Sequence, residues 1–321
     1  MKPYKFKPYL KETIWGGENI AAFKGIATDL TNIGESWEIS GVPGHESVTA
    51  PRGLSEDNDL GMTLPQLIDH YKGTLVGNTA YEKYGTNFPL LIKFIDSRQD
   101  LSVQVHPNDQ LAQQRHGCAG KTEMWYVMHA APHAKIHAGL NQAITPQDYE
   151  RLVRNNTFMD VVATHQSHEG DVFFLPAGRV HSIGAGNFLV EIQQTSDITY
   201  RIYDFDRRDA NGHPRELHVE QAKNAIDYTV SSDYRTHYET TNPNTKLVEC
   251  PYFKVHRLVV EGTAEVDYQT NSFVIVICLT GEAHINGIKA HQGETLLVPA
   301  CDNILHITGN ATFLCASLND K

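Results

Sequence analysis

Residues 170–181 have the sequence GDVFFLPAGRVH, which is the most informative stretch of the chain. The VFFL segment combines β-branched, aromatic and aliphatic side chains, as short buried strands do. Because Pro176 cannot donate a ladder hydrogen bond, we expect the strand to end there and to turn through Ala177 and Gly178. The stretch therefore predicts two strands joined by a tight turn, with His181 at the start of the second.

Upstream, residues 101–109 read LSVQVHPND. Side chains alternate faces along a strand, so Gln104 and His106 share one face and Val103 and Val105 share the other. The valines can pack against neighbouring parts of the sheet. A Gln and a His that face an interior would be costly unless they bind something. The alternative is an edge strand whose polar face lies in water.

Between these stretches, residues 120–127 read GKTEMWYV. The same alternation predicts that Lys121, Glu123, Trp125 and Val127 point in one direction. A Lys and a Glu two residues apart could form a solvated pair. Their position shortly after His106 favours a shared site instead.

Most of the remaining chain also predicts short strands. Runs such as LLIKFID, FLVEIQQ and FVIVICL are rich in Ile, Leu, Val and Phe. Helix signals are few: 63–71, a helix capped by Thr145 that runs to about Val153, and 218–226. This pattern predicts a mainly β protein of the sandwich or jelly-roll type with short helices.

A polar stretch at 231–246 predicts a domain boundary. We expect a larger domain over 1–230, which would carry the chemistry, and a C-terminal β-domain over 231–321. The second domain contains GETLLVPA, which echoes the Gly, acid, apolar strand and Pro-Ala of GDVFFLPA. No histidine follows Pro299 at the matching distance. We therefore expect a duplicated β-domain without metal ligands.

Composition excludes several functions. A net charge of -11 and a pI near 5.8 argue against nucleic-acid binding, which needs a clustered basic face. The longest apolar run, 273–279, is too short to cross a bilayer, and the opening MKPYKFKPYL has no signal-peptide core, so no membrane partner is expected. Five cysteines without a CxxC pair favour reduced thiols and a cytoplasmic location.

The motifs also carry a family resemblance. Glycine, five residues, Pro-x-Gly, two residues and His resembles the second cupin motif, in which the His binds metal inside a jelly-roll barrel. Gln-x-His stands where the first cupin motif usually has His-x-His. This altered form resembles the short bacterial branch of the type I phosphomannose isomerases. The resemblance covers most of the chain, through segments 13–17, 33–40, 90–96, 101–109, 120–126, 176–181 and 199–205.

The resemblance implies a cupin barrel, a second degenerate cupin-like domain and one zinc ion per chain. Carried over residue by residue, the zinc ligands are Gln104, His106, Glu123 and His181. Two His, a carboxylate, a Gln oxygen and an exchangeable water suit a catalytic zinc site. The same ligands would accept manganese, cobalt or iron, so zinc itself comes from the resemblance.

The implied reaction interconverts mannose 6-phosphate and fructose 6-phosphate through an enediol. The resemblance assigns catalytic roles to Arg201 and Lys121, and contacts with the hexose 6-phosphate to Lys93 and Ser102. The residues leave the proton carrier open among Lys121, Glu191 and a metal-bound water.

Two other interpretations of these residues stay open. Arg201 could hold a phosphate or enediolate oxygen, or form a structural ion pair with Asp204 or Asp206. The chain could also be a metal-binding cupin without isomerase activity, either a sugar-phosphate-sensing module or an iron-dependent oxygenase. A homo-oligomer is compatible with the sequence.

A separate histidine series is expected to be a decoy. His129, His133 and His137 recur every fourth residue, as a metal-binding helix face would. Pro132 interrupts the series and breaks helical periodicity. We expect a turn there, followed by a strand at KIHAG.

Overall fold

The computed structural model describes residues 1–208 and 212–319. The described part is mainly β, which confirms the predicted fold class. Its strands are β1 (Tyr4–Phe6), β2 (Tyr9–Gly17), β3 (Ile33–Ile39), β4 (Thr49–Ala50), β5 (Leu90–Ser97), β6 (Val103–Val105), β7 (Glu123–Ala130), β8 (Lys135–Leu140), β9 (Val162–Gln166), β10 (Val172–Leu175), β11 (His181–Ile183), β12 (Asn187–Gln194), β13 (Tyr200–Tyr203), β14 (Asn244–Glu249), β15 (Phe253–Val266), β16 (Val274–Ile285), β17 (Ile288–His291), β18 (Thr295–Val298) and β19 (Leu305–Leu318).

Short helices connect these strands. The helices are α1 (Asn19–Lys24), α2 (Leu64–Tyr71), α3 (Gly73–Val76), α4 (Asn78–Tyr84), α5 (Asp109–His116), α6 (Pro146–Arg154) and α7 (Val219–Ala225), with 3-10 turns at Phe158–Val161 and Ala300–Asp302. Within residues 1–208 and 212–319, every helix falls short of the length and apolar character that crossing a bilayer requires.

The three predicted helices are confirmed as α2, α6 and α7. Both α2 and α6 begin with a capping box, in which Thr63 pairs with Gln66 and Thr145 pairs with Asp148. Each box satisfies backbone groups that a helix start leaves free. The sequence analysis does not predict α5, because its residues DQLAQQRH bury little apolar surface.

Two antiparallel sheets build the site. The first has five strands in the order β13-β6-β11-β8-β9. Strand β6 lies inside this sheet, which excludes the alternative of a solvated edge strand. Val103 and Val105 pack in an apolar cluster with Tyr149 of α6 and Ala222 of α7, as the alternation predicts. The opposite face of β6 is therefore free to carry polar side chains inward.

The second sheet has six strands in the order β10-β7-β12-β5-β2-β3. In its central strands, Glu191 of β12 lies opposite the charged Lys93 of β5 on one side. On the other side it lies opposite Trp125 of β7. Every residue of β5 and of β12 is buried. Of these side chains, Lys93 and Glu191 face a common interior with Gln104 of β6.

The third sheet is formed mainly by the C-terminal part of the chain. Its order is β14-β15-β19-β16-β18-β1-β4, with β17 attached to β16. Strands β1 and β4 come from the start of the chain, and β1 pairs with β18. The division at residue 230 stays a prediction, and the N-terminal strands attach the two parts to each other.

Candidate metal centre and its cavity

Three of the predicted ligands converge in the interior. His106 Nε2 lies 3.1 Å from His181 Nε2, which in turn lies 3.2 Å from Glu123 Oε1. One donor atom from each residue falls within 4.8 Å of the others. All three side chains are buried. Among the described residues, this is the one group of His, Cys, Asp and Glu that could hold a metal ion.

Backbone contacts orient both imidazoles. The Nδ1 atom of His106 donates to the carbonyl of Ile198 at 2.8 Å, and Nδ1 of His181 donates to that of Arg179, also at 2.8 Å. Because a carbonyl can only accept, each ring keeps its lone pair on Nε2. Two acceptors therefore face each other. A cation between them would remove that conflict, and a carbonyl on the other ring nitrogen is the usual support for a metal-binding His.

The electrostatics fit the same interpretation. Burial, reinforced by Lys121, lowers the pKa of His106 well below its ordinary value. Burial also lowers the pKa of His181, to about 4, so both rings stay neutral and able to bind metal. Burial and the nearby Glu191 raise the pKa of Glu123. Among the described residues, neither Glu123 oxygen accepts a hydrogen bond of good geometry, although Lys121 Nζ lies 2.9 Å from Oε2.

Gln104, the fourth predicted ligand, lies beside this cluster. It pairs with His181 across β11 and with Arg201 across β13. Its amide nitrogen lies 3.4 Å from His181 Nε2. Rotating the amide by half a turn exchanges nitrogen and oxygen, so Gln104 can offer an oxygen at this place. Two imidazoles, a carboxylate and an amide oxygen fit a divalent metal.

A cavity of about 490 Å³ opens beside the cluster. Five predicted site residues line it: Lys93, Ser102, Gln104, Lys121 and Arg201. Gln104 and Lys121 belong to both the cavity wall and the surroundings of the metal cluster. The structure therefore brings all eight predicted site residues to one place, although their roles stay predictions.

Buried charges form a continuous row along this wall. Glu191 lies 3.3 Å from Lys93 and 3.8 Å from Lys121, and it accepts a hydrogen bond from the Trp125 indole at 2.8 Å. Burial opposes its ionisation, but the two lysines outweigh that effect and lower the pKa of Glu191 to about 2. Lys121 and Glu123 are both buried. The alternative that they form a solvated pair is therefore wrong.

Sequence reasoning did not assign several residues of the wall. Glu35 lies 3.6 Å from Lys93, and Asp197 and Arg215 also line the cavity. Glu35 stands inside one of the family segments, 33–40, which is the signal that could have found it. Nothing in the local sequence marks Arg215, which reaches the cavity from a segment after β13.

Among the described residues, Arg201 forms no ion pair with Asp204 or with Asp206, the two carboxylates proposed as its structural partners. Asp204 instead accepts hydrogen bonds from Arg207 and from Arg215, the latter at 2.7 Å through Nε. One terminal nitrogen of Arg201 donates to the carbonyl of Glu216 at 2.9 Å. Its buried Nε has no hydrogen-bond partner among the described residues. Arg201 therefore keeps donor capacity on a wall of the cavity.

The segment that carries the separate series of His129, His133 and His137 is confirmed as a turn followed by a strand. His133 has a positive φ of 67° in the turn, and β8 follows with His137 bonded to Thr164 at 2.9 Å. His129 lies near the end of β7. The three rings form no metal group within the described residues.

Two facing antiparallel sheets with a His, His and Glu cluster inside define a metal-binding cupin. Comparison with known proteins places the chain more narrowly. Residues 4–126 match the family model described as the type I phosphomannose isomerase catalytic domain. Residues 243–318 match the cupin domain of mannose-6-phosphate isomerase. The chain belongs to the mannose-6-phosphate isomerase family.

Individual relatives agree with this placement. The chain is 35% identical to mannose-6-phosphate isomerase ManA of Bacillus subtilis over 306 residues, which cover 93% of each protein. It is 30% identical to the mannose-6-phosphate isomerase of Streptococcus mutans over 325 residues, 99% of each. Its fold superimposes on the crystal structure of the mannose 6-phosphate isomerase from Bacillus subtilis with a TM-score of 0.86 at 29% identity, covering 98% of this chain and 99% of that one.

Proposed function

We propose that this chain is a metal-dependent aldose-ketose isomerase that interconverts mannose 6-phosphate and fructose 6-phosphate. The observation that carries the proposal is the junction of the metal cluster with a charged cavity, since Gln104 and Lys121 belong to both. Family membership supplies the substrate class. A net charge of -11 argues against a nucleic acid, whereas the cations of the cavity wall still allow a small phosphorylated substrate.

We propose zinc as the metal, held by Gln104, His106, Glu123 and His181. A bound divalent ion would polarise the substrate oxygens next to the carbon that loses its proton, which stabilises the negative charge of an enediolate. The protein itself provides neutral imidazoles and one anionic ligand, and its buried setting strengthens every charge interaction there.

Cations of the cavity wall would bind and orient the substrate. Arg201 has an unpaired Nε and a planar guanidinium, which suits a phosphate or enediolate oxygen. Lys93 and Ser102 are proposed to contact the phosphate and the sugar. Lys93 stays charged, because Glu35 and Glu191 more than offset its burial and raise its pKa.

Proton transfer between C1 and C2 needs a titratable group close to both the cavity and the cluster. We assign it to Lys121, which lines the cavity and lies 3.8 Å from Glu191. Lys121 also lies 2.9 Å from Glu123, which places it beside the proposed ligand set. General acid–base catalysis by such a group contributes roughly 10²- to 10⁴-fold.

A coupled assay of mannose 6-phosphate isomerisation tests the proposal, before and after chelation and after addition of Zn²⁺. We expect activity that disappears on chelation and returns with the metal. Activity that survives complete metal removal would contradict the metal mechanism. A fully metallated protein that turns over no hexose 6-phosphate would contradict the isomerase proposal and favour a sugar-phosphate-sensing cupin.

We also propose a cytoplasmic location. All five cysteines are free thiols, as expected in a reducing compartment. Fractionation of cells that express the tagged full chain would check this, and recovery from an exported fraction would contradict it.

A further inference from the structure

One carboxylate outside the metal cluster accepts three hydrogen bonds from separate parts of the chain. Asp109, the first residue of α5, accepts from the backbone N–H of Gly120 at 2.8 Å and from the amide of Gln194 at 3.0 Å through Oδ1. Its Oδ2 accepts from the hydroxyl of Tyr252 at 2.7 Å. Within the described residues, none of these four belongs to the metal group.

These contacts join the two segments that carry metal ligands. Asp109 follows His106 by three residues, and Gly120 precedes Glu123 by three. A second bond ties the same segments, from the Lys121 N–H to the carbonyl of Pro107 at 3.1 Å. The position of Glu123 relative to His106 therefore depends on this tie.

Gln194 extends the tie to the next residue. Its side-chain oxygen accepts from the N–H of Thr122 at 2.9 Å, while its amide donates to Asp109. The segments also touch closely, because a Cβ added to Gly120 would lie 2.5 Å from backbone atoms of Asn108 and Asp109. Such close backbone contact leaves little room for Glu123 to shift without breaking these bonds.

Tyr252 brings the C-terminal part of the chain into this arrangement. It lies between β14 and β15, within the cupin domain that spans residues 243–318. That domain provides no member of the metal group in the described residues. The Tyr252 hydroxyl nevertheless donates to the Asp109 carboxylate, which in turn contacts the segment before Glu123.

We propose that Asp109 is a positioning residue for the metal centre. We further propose that the C-terminal domain helps to position the centre through the hydrogen bond from Tyr252 to Asp109. The inference rests on the metal site of the proposed function and adds a role for a domain without ligands. Outer partners of metal ligands typically change metal affinity by about 10- to 100-fold. Asp109→Asn removes the charge that strengthens all three hydrogen bonds and turns the Oδ2 acceptor of the Tyr252 hydroxyl into a donor, so we expect about 10-fold weaker binding.

The test measures Zn²⁺ affinity by competition with a chromophoric chelator in the full chain, together with the visible spectrum of the Co²⁺ form. Tyr252→Phe should weaken Zn²⁺ binding by about 3-fold, the loss of one ordinary hydrogen bond. Both variants should alter the Co²⁺ spectrum, which reports ligand geometry. Because both act through one carboxylate, the double variant should bind about as weakly as Asp109→Asn alone.

Two matched variants provide the controls. Tyr238→Phe removes a hydroxyl that donates to the Gly170 carbonyl at 2.8 Å and makes no contact with Asp109. Asp148→Asn removes a carboxylate from the first turn of α6. Both should leave Zn²⁺ affinity and the Co²⁺ spectrum unchanged.

The outcomes separate the two proposals. A wild-type chain that binds no divalent metal overturns the proposed metal site itself. Wild-type binding with unchanged affinity and spectrum in Asp109→Asn and Tyr252→Phe overturns the positioning role. The role is also overturned if Tyr238→Phe weakens binding as much as Tyr252→Phe does, since the effect would then be general destabilisation.

Discussion

The two β-structures of this chain enclose interiors that differ in polarity: one is charged and the other is apolar. Between the five- and six-stranded sheets lie buried charges such as Lys93, Glu123 and Glu191. The C-terminal sheet encloses apolar side chains such as Val276 and Phe313 instead. Apolar burial stabilises a fold without any partner, whereas buried charges need ion pairs, hydrogen bonds or a metal. The first interior is thus arranged for chemistry and the second for stability.

The turns after the two Pro-Ala pairs show how this difference arises. After Pro176, Gly178 adopts a positive φ of 91° and the chain delivers His181 inward. After Pro299, residues Ala300–Asp302 form a 3-10 turn. Five residues beyond that proline stands Ile304, which is 39% exposed. Without a glycine turn and a histidine at the matching distance, this turn of the C-terminal domain offers no ligand.

The largest effect is expected where the polar interior loses its one anionic ligand. Glu123→Gln preserves shape but removes the negative charge that a divalent ion needs. We expect kcat/KM to fall by about 10³-fold, or about 4 kcal/mol, with loss of bound metal. The coupled assay and elemental analysis after gel filtration measure both. Glu261→Gln, at an exposed residue of β15, should change neither. If Glu123→Gln retained metal and activity, Glu123 would not be a metal ligand.

The apolar interior should respond in stability rather than chemistry. Phe313 is fully buried, so Phe313→Ala should lower the free energy of unfolding by about 3–5 kcal/mol. Urea unfolding measures this change, with the exposed Ile304→Ala as control at about 0.5 kcal/mol or less. Below its unfolding transition, Phe313→Ala should bind Zn²⁺ like the wild type. A metal affinity that falls in parallel with stability would show that the two interiors are not independent.

The smallest effect concerns pH. Burial, reinforced by Lys246, lowers the pKa of His256 in β15 to about 4. The unfolded state then binds a proton on this ring more readily than the folded state does. The neutral His256 ring therefore contributes to the free energy of unfolding above the unfolded pKa near 6.5, and this contribution is lost as pH falls toward 4. His256→Gln should reduce the loss between pH 7 and pH 5 by less than about 2 kcal/mol, as measured by urea unfolding. An unchanged pH dependence would rule His256 out as its source.

Local patterns predicted the parts of the site that share a strand or a turn. Alternation placed Gln104 inward and its neighbouring valines outward, and the Pro-Gly turn placed His181 at the start of a strand. Capping residues likewise predicted α2 and α6. The polar helix α5 was missed because its stability comes from its Asn108 cap and its contacts rather than from an apolar face.

Pairings between distant segments were beyond such reasoning. Glu35 and Arg215 line one cavity although they are far apart in the sequence, and Asp109 meets Tyr252 across 143 residues of sequence. No periodicity encodes those contacts, because the packing of whole sheets decides them.

The sequence by itself determined a mainly β fold, the second cupin motif and the residue types of a metal centre. Those features depend on backbone geometry within a few residues, which the chain specifies locally. Only the tertiary structure decided that His106, Glu123 and His181 meet beside Gln104, that Arg201 lines the cavity and that the C-terminal domain contacts Asp109. Distances between separate strands follow from long-range packing, and the order of residues along the chain does not contain them directly.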